Sequence, residues 1–326
     1  MGSDYTVSLQ KPRILTKRGV RDSFPNATQI HGKYGVLMQE AQMIDGRMAI
    51  NSLLTASIDG YIPGMKGATL ANYVEFQDYV KDEAGKIIGA KLYDRLGKKE
   101  FTVKSKVVVN CAGIHSDELR VKDKPEVAPR IQGARGTHLM FKKGLVPADS
   151  GIIIPKTKDG RLIFIINYLG HPMVGTTDVQ CDLTHFCEPT QDEIDFICRE
   201  LEPYFGSDYD FKGNLMSAWA GIRPLVKASA EGQKPQPSSG IKDTAISGFQ
   251  GGIRWLARTL NSSKKSKSSA TAKLSRTHEI EVSENGLVSL MGGKWTSFRK
   301  MGEETVDIIL QNNPNIDAKY EETQTK

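Results

Sequence analysis

Three stretches of this chain put chemically capable side chains in unusual settings. In "SAWAGIRPLV" (Ser217 to Val226), Arg223 stands among small and apolar residues, where an unpaired guanidinium is expensive. Its planar fork suits bidentate contact with an oxyanion, and Pro224 is expected to stiffen the turn that aims it. In "RGTHLMF", His138 interrupts an otherwise apolar strand pattern, and imidazole titrates close enough to neutrality to trade a proton. A packed structural histidine leaves the same signature, so both roles stay open. His171 and His278 rank behind it. In "LVSLMGGKWTSFRKMGEETVDIIL" (Leu287 to Leu310), an apolar segment passes through Gly292, Gly293 and Lys294 into a helical pattern. Strand, glycine turn and helix together present backbone N–H groups and a helix dipole to an anion.

The elements around these residues follow from periodicity. "DGRMAINSLLTASIDGY" predicts a helix capped by Asp45, with Met48, Leu53 and Ile58 among its apolar positions. "ATLANYVEFQDYVKD" and "GKIIGAKLYDRLGKKEFTVKSK" predict a strand and a short meander. Val107, Val108 and Val109 form an unbroken apolar run, as in a strand buried on both faces, and the run ends in Asn110-Cys111-Ala112-Gly113. That ending fits either a tight packing turn or a strand end beneath a nucleotide. Between Arg130 and Val226 short strands dominate ("GTHLMF", "GIIIP", "RLIFIINY", "HPMVGTTDV"). One helix interrupts them at "TQDEIDFICRELEPYF", with Thr190 and Glu193 spaced as a capping box.

Composition narrows the class. The 326 residues, 39% hydrophobic and 25% charged, suit one large or two ordinary globular domains. No apolar run reaches the roughly 20 residues of a membrane-spanning helix. No signal peptide or presequence pattern is visible at the start, although Gly2 and Thr6 fit a loose myristoylation pattern by chance. Four cysteines lack a disulfide-framework spacing. Cys181, His185 and Cys187 in "CDLTHFC" include no Cys-x-x-Cys pair, and no metal is expected.

The net charge of +6 is local: Thr244 to Lys273 carries six basic residues and no acidic one, so no broad nucleic-acid face is expected. In that insert Ile246, Phe249, Ile253, Leu256 and Leu260 step along one helical face beside Trp255, as in an interfacial membrane anchor or a short buried helix. None of the 31 glycines is separated from another by a single residue, so the Gly-x-Gly-x-x-Gly cradle of dinucleotide folds is not encoded in these residues.

Gly-Ile-Arg-Pro-Leu, then Ser-Arg, then Gly-Gly-Lys-Trp-Thr, in that order, resembles the FAD-dependent glycerol-3-phosphate dehydrogenases of the respiratory type. "DGRM", "ANY", "VVVNCAG", "VGTTDV" and "RTHEIEV" fall in family order too. The resemblance implies a mixed α/β fold: an incomplete FAD-binding Rossmann-like domain of the glycine and D-amino-acid oxidase type, with an inserted antiparallel-sheet substrate domain. On this expectation residues 1–34 lead in and 35–120 form the partial FAD-binding domain. Residues 121–226 form the substrate sheet, 227–273 a basic insert, and 274–326 the return of the flavin domain.

The resemblance further implies oxidation of glycerol 3-phosphate to dihydroxyacetone phosphate, with electrons passed to quinone. His138, Arg223 and Lys294 are then catalytic, with Arg47 and Arg276 as further substrate-binding residues. Gly113, Gly292, Gly293, Thr296 and Ser297 would bind FAD. By the same resemblance the location is the mitochondrial inner membrane, with surface contact through residues 246–273. Asn167-Tyr168 replaces the family's Pro-Trp, which puts the pocket lining in question. The family's nucleotide finger is expected outside these residues, so the chain expressed alone is expected to hold no flavin. Two other readings stay open: a binding protein that has kept the substrate sheet without flavin, and a flavoenzyme acting on another hydroxy or amino acid.

Overall fold

The computed structural model describes residues 12–27, 34–61, 64–147, 149–154, 157, 160–227 and 277–316. The expected helical face over 246–260, the basic run behind it and Arg276 lie outside these residues. In chain order the elements are β1 (Arg13–Thr16), α1 (Lys17–Ser23), β2 (Tyr34–Leu37), α2 (Asp45–Ala56), β3 (Val74–Lys81), β4 (Ile87–Asp94), β5 (Lys99–Lys104), β6 (Val108–Asn110) and α3 (Ser116–Asp123). There follow β7 (Ile131–Phe141), β8 (Ile152–Ile154), β9 (Ile163–Tyr168), β10 (His171–Gly175), β11 (Val179–Cys181), α4 (Gln191–Phe205), β12 (Leu215–Val226), β13 (His278–Val282), β14 (Leu287–Gly292) and α5 (Phe298–Asn312).

The described chain falls into two compact units. The sheet unit holds Pro12–Leu37 and the residues from Arg130 to Lys227; the other holds Met38–Pro129 and the residues from Thr277 on. The sheet unit is a six-stranded sheet in the order β11-β7-β10-β9-β8, with β12 paired along the full length of β7. Strand alternation sends Leu139 and Phe141 of β7 to one face, where they pack with Ile163, Ile165 and Val174 against α4. On α4 the buried residues Glu193, Ile197, Leu201 and Phe205 step by four, the spacing of one helical face. Each fully buried Leu or Ile contributes about 1.5–3 kcal/mol. The capping box expected from Thr190 and Glu193 is present.

Pro224 is not in a turn. It lies inside β12, opposite Gly133, in a strand whose one partner among the described residues is β7. An edge strand tolerates proline because its outward N–H has no ladder bond to lose.

In the other unit, β3, β4 and β5 form an antiparallel meander, and β13-β14-β6 a second small sheet. Its strands β14 and β6 run parallel, with Leu287 opposite Val108 and Ser289 opposite Asn110. Tyr79, Ile87 and Leu287 form a small core with Phe76 and Val108 against it. Helix α3 is clamped by charge. Arg120, 6% exposed, donates from Nη2 to both carboxylate oxygens of Glu281 at 2.8 and 3.0 Å and from Nη1 to Asp117 at 2.7 Å. Asp123 accepts from Ser283 Oγ at 2.6 Å and Asn285 Nδ2 at 2.9 Å, and pairs with Lys81 at 2.9 Å.

Two expectations for this unit are corrected. Asp45 is the first residue of α2 rather than its cap: Ile44 precedes the helix, and the Asp45 carboxylate accepts from Gly46 N at 2.8 Å. Met48 and Leu53, apolar positions inside α2, are exposed, and Ile58 lies beyond the helix, which ends at Ala56. The strand expected across Val107–Val109 covers Val108–Asn110, and Val109 is exposed rather than buried on both faces.

Candidate functional site

The register of β7 on β12 sets Trp219 opposite His138, Gly221 opposite Gly136, and Arg223 opposite Ala134. Residues two apart on a strand share a face, so these six lie on one side of the sheet, away from the side that carries Leu139 and Phe141. The indole of Trp219 stacks on the imidazole of His138, with ring centroids 5.7 Å apart and planes 16° from parallel. The Arg223 guanidinium lies over Gly136, where an added Cβ would stand 2.3 Å from Nη2. A Cβ on Gly175 of β10 would stand 2.4 Å from the His138 ring. Glycine at both positions therefore makes room for one cation and one imidazole. Over Gly221, between Trp219 and Arg223 along the strand, no heavy atom lies within 4 Å of a built Cβ.

The segment after β10 holds the guanidinium. Arg223 Nη2 donates to Thr176 Oγ1 at 3.0 Å and Nη1 to the Thr177 carbonyl at 3.3 Å, with Asp178 Oδ1 at 3.9 Å from Nη1. The Arg223 side chain keeps 34% of its surface exposed, so its charge is anchored yet reachable. Burial, helped by the charge of Arg223, holds the His138 imidazole below its usual titration range. At neutral pH that ring is an uncharged proton acceptor beside a fixed cation. Thr176, Thr177, Asp178, Trp219 and the three glycines went unrecognised in the sequence as parts of one site. Their one visible signal is glycine two residues before His138 and two before Arg223, on strands that pair.

In the other unit, the glycine turns sit at the carboxyl ends of two parallel strands, where open α/β sheets bind ligands. After β6, the buried Asn110 donates to the Ser116 carbonyl at 3.0 Å and to Ser289 Oγ at 3.2 Å, and accepts from Ala112 N at 3.1 Å. Gly113 follows with φ +60°, and a Cβ there would meet no atom within 4 Å. After β14, Gly292 and Gly293 have φ of +72° and +87°, conformations that favour glycine. Beyond them Lys294 begins a single 3₁₀ turn (Trp295–Ser297) that leads into α5. Lys294 and Thr296 are exposed, and Ser297 Oγ donates to the Lys294 carbonyl at 2.9 Å. His278 pairs with Glu304 at 2.5 Å beside this turn. Arg47 is exposed in the first turn of α2. The open space at Gly113 and the paired positive-φ glycines fit a nucleotide cofactor approaching the backbone closely.

Residues 4–240 match the family model described as "FAD dependent oxidoreductase". The chain is 32% identical over 305 residues to a probable mitochondrial glycerol-3-phosphate dehydrogenase of Caenorhabditis elegans, covering 93% of this chain and 36% of that protein. It is 31% identical over 309 residues to the mitochondrial glycerol-3-phosphate dehydrogenase of Mus musculus, again covering 93% and 36%. It thus spans little more than a third of the length of these curated relatives. Among solved structures it is similar to the glycerol-3-phosphate dehydrogenase from Bacillus halodurans complexed with FAD, with a TM-score of 0.66 and 25% identity over 94% of this chain and 52% of that one. Glycine oxidase from Bacillus cereus shares the fold, with a TM-score of 0.56 and 13% identity over 93% and 65%.

Proposed function

Because the chain belongs to the FAD dependent oxidoreductase family, we propose that it forms the substrate-binding part of a flavoenzyme oxidising sn-glycerol 3-phosphate to dihydroxyacetone phosphate. The observation that carries this reading is the seat of Arg223: a guanidinium held by Thr176 and Thr177, one strand away from a neutral imidazole. A secondary alcohol bearing a phosphate needs those two groups, one to hold the dianion and one to accept the hydroxyl proton. The names of the worm, mouse and bacterial relatives supply the substrate.

Arg223 grips the phosphate. His138 takes the hydroxyl proton on its ring. Trp219 covers one face of that ring. Gly113, Gly292, Gly293, Thr296 and Ser297 hold the cofactor. When bound, FAD supplies the two-electron acceptor for the hydride leaving the alcohol carbon. Quinone as the next acceptor, a place at the mitochondrial inner membrane and surface contact through residues 246–273 complete the proposal, supported by the mitochondrial names of the relatives.

The test joins this chain to the part of the mouse relative that lies outside the matched 36% and adds sn-glycerol 3-phosphate to the FAD-loaded protein without oxygen. The flavin absorbance bleaches with the ester and not with glycerol. Arg223→Ala weakens the ester by about tenfold to a hundredfold, the worth of a charged hydrogen bond. Ester binding without bleaching at any concentration identifies a binding protein, and bleaching by glycine instead identifies an amino-acid oxidase.

A further inference from the structure

The side of the sheet opposite Arg223 holds a carboxylate in an unexpected place. The buried stripe of α4 begins with Glu193, 5% exposed, at a position where Ile197, Leu201 and Phe205 show that an apolar residue belongs. Its two oxygens do different things. Oε2 accepts from Thr190 N at 3.1 Å and Thr190 Oγ1 at 3.0 Å, closing the helix cap, and lies 2.9 Å from Arg135 Nε. Oε1 accepts from Thr177 Oγ1 at 2.7 Å. A cap needs no more than the first oxygen, and exposed glutamates serve it well.

Thr177 passes the constraint through the sheet. Its buried hydroxyl donates to Glu193 and accepts from Thr137 N at 2.8 Å. Its carbonyl accepts from Arg223 Nη1 and, at 3.1 Å, from the Thr176 hydroxyl, which itself accepts from Arg223 Nη2. One threonine therefore links a carboxylate under the sheet to the guanidinium above it.

We propose that Glu193 is a positioning residue for Arg223: through the Thr177 hydroxyl it fixes the Thr176–Thr177 segment that seats the guanidinium beside His138. This rests on the reading that Arg223 and His138 form the site, but not on which alcohol they bind. A buried, fully bonded carboxylate holds a segment more firmly than an apolar contact, because any slip leaves a charge unsatisfied. The chain thus spends an interior position of α4 on aiming a side chain across the sheet.

The test follows the His138 ring by NMR in the full 326-residue chain, because that ring senses the Arg223 charge whether or not flavin or substrate is present. The charged groups facing the segment are Arg223, Asp178, Glu193 and Arg135. Thr177→Val, which keeps shape and removes the hydroxyl, moves the His138 titration midpoint up toward that of free imidazole as the guanidinium drifts away. Thr177→Ser, which keeps the hydroxyl, restores the wild-type midpoint. Glu193→Gln, which still fits a capping box, shifts it in the same direction as Thr177→Val. In the wild type the Arg223 Nη protons appear as separate, slowly exchanging signals. An unchanged midpoint in folded Thr177→Val and Glu193→Gln overturns the proposal, and so does a freely rotating Arg223 guanidinium in the wild type. Failure of glycerol 3-phosphate to react would leave these signals unchanged, so the two ideas fail separately.

Discussion

Arg223 occupies the space that a side chain at Gly136 would fill, with its Nη2 2.3 Å from where the Cβ would be. The relationship is one-sided: a guanidinium is the far end of a flexible side chain and can leave, whereas the strand backbone under Gly136 cannot. Gly136→Ala is therefore expected to fold with a melting temperature within a few degrees of wild type, while Arg223 loses its contacts to Thr176 and Thr177. Calorimetry checks the first half and loss of ester binding the second. A variant that binds the ester normally would show that the guanidinium seat is not the anion site.

The imidazole of His138 titrates low because it is buried and, secondarily, because Arg223 is near. With the folded value below the unfolded value of about 6.5, the unfolded chain binds more protons between the two. This histidine's contribution is fully present above about pH 6.5 and declines as pH falls toward its folded value. Replacing Arg223 by Gln should raise the midpoint only part of the way, since burial remains. His138→Asn in the flavin-loaded protein should slow turnover by about 10²- to 10⁴-fold, the ordinary worth of general-base catalysis. A turnover unchanged by that substitution assigns the proton to another acceptor.

Asp123 gives the other unit an acid sensitivity of opposite origin. Burial alone would raise its carboxyl, but hydrogen bonds from Ser283, Asn285 and Lys81 and the Lys81 charge outweigh it and hold the group below the usual range. Stability from a depressed carboxylate is present above its unfolded value of about 3.9 and is lost as pH falls through the folded one. Asp123→Asn should flatten the acid limb of unfolding below about pH 4, as circular dichroism would record.

Truncating Glu281 strands the Arg120 guanidinium, whose side chain is 6% exposed. Loss of one partner of a buried pair costs about 3–5 kcal/mol. Denaturant unfolding of Glu281→Ala should show a cost of that order, reduced by the remaining contact to Asp117. A loss below about 0.5 kcal/mol, typical of surface changes, would mean that the clamp on α3 adds nothing.

Gly293 combines a φ of +87° with crowding: its Cβ would stand 2.6 Å from the Met301 methyl and 3.1 Å from His278 Cβ. An L side chain in that backbone region costs about 1–2 kcal/mol before any clash. Gly293→Ala should destabilise the chain by at least that much. In the flavin-loaded protein it should weaken FAD, read by fluorescence titration. Gly113→Ala, with φ +60° and open space, should cost backbone strain alone until a cofactor is added.

Local rules carried far along this chain. The alternation in "RGTHLMF", the spacing of Thr190 and Glu193 and the period of α4 are short-range, because strand faces and helix caps are decided by neighbours two to four residues apart. Ordered motifs were enough to reach the family, since Gly-Ile-Arg-Pro and Gly-Gly-Lys-Trp-Thr are specific without coordinates. Where a partner was required, sequence was a poorer guide. Pro224 reads as a turn until β12 is seen to be an edge strand, and Asp45 reads as a cap until α2 is seen to begin at it.

The amino-acid order by itself determined which residue types were available: one arginine in a small-residue setting, one histidine in an apolar strand, and a glycine pair before a lysine. Only the folded chain decided that Arg223 lies over Gly136, that His138 stacks on Trp219, and that Glu193 bonds the same threonine whose carbonyl holds Arg223. The reason is physical. Those relations depend on the register between strands about 80 residues apart and on a helix packed against their far side, and no local propensity encodes either.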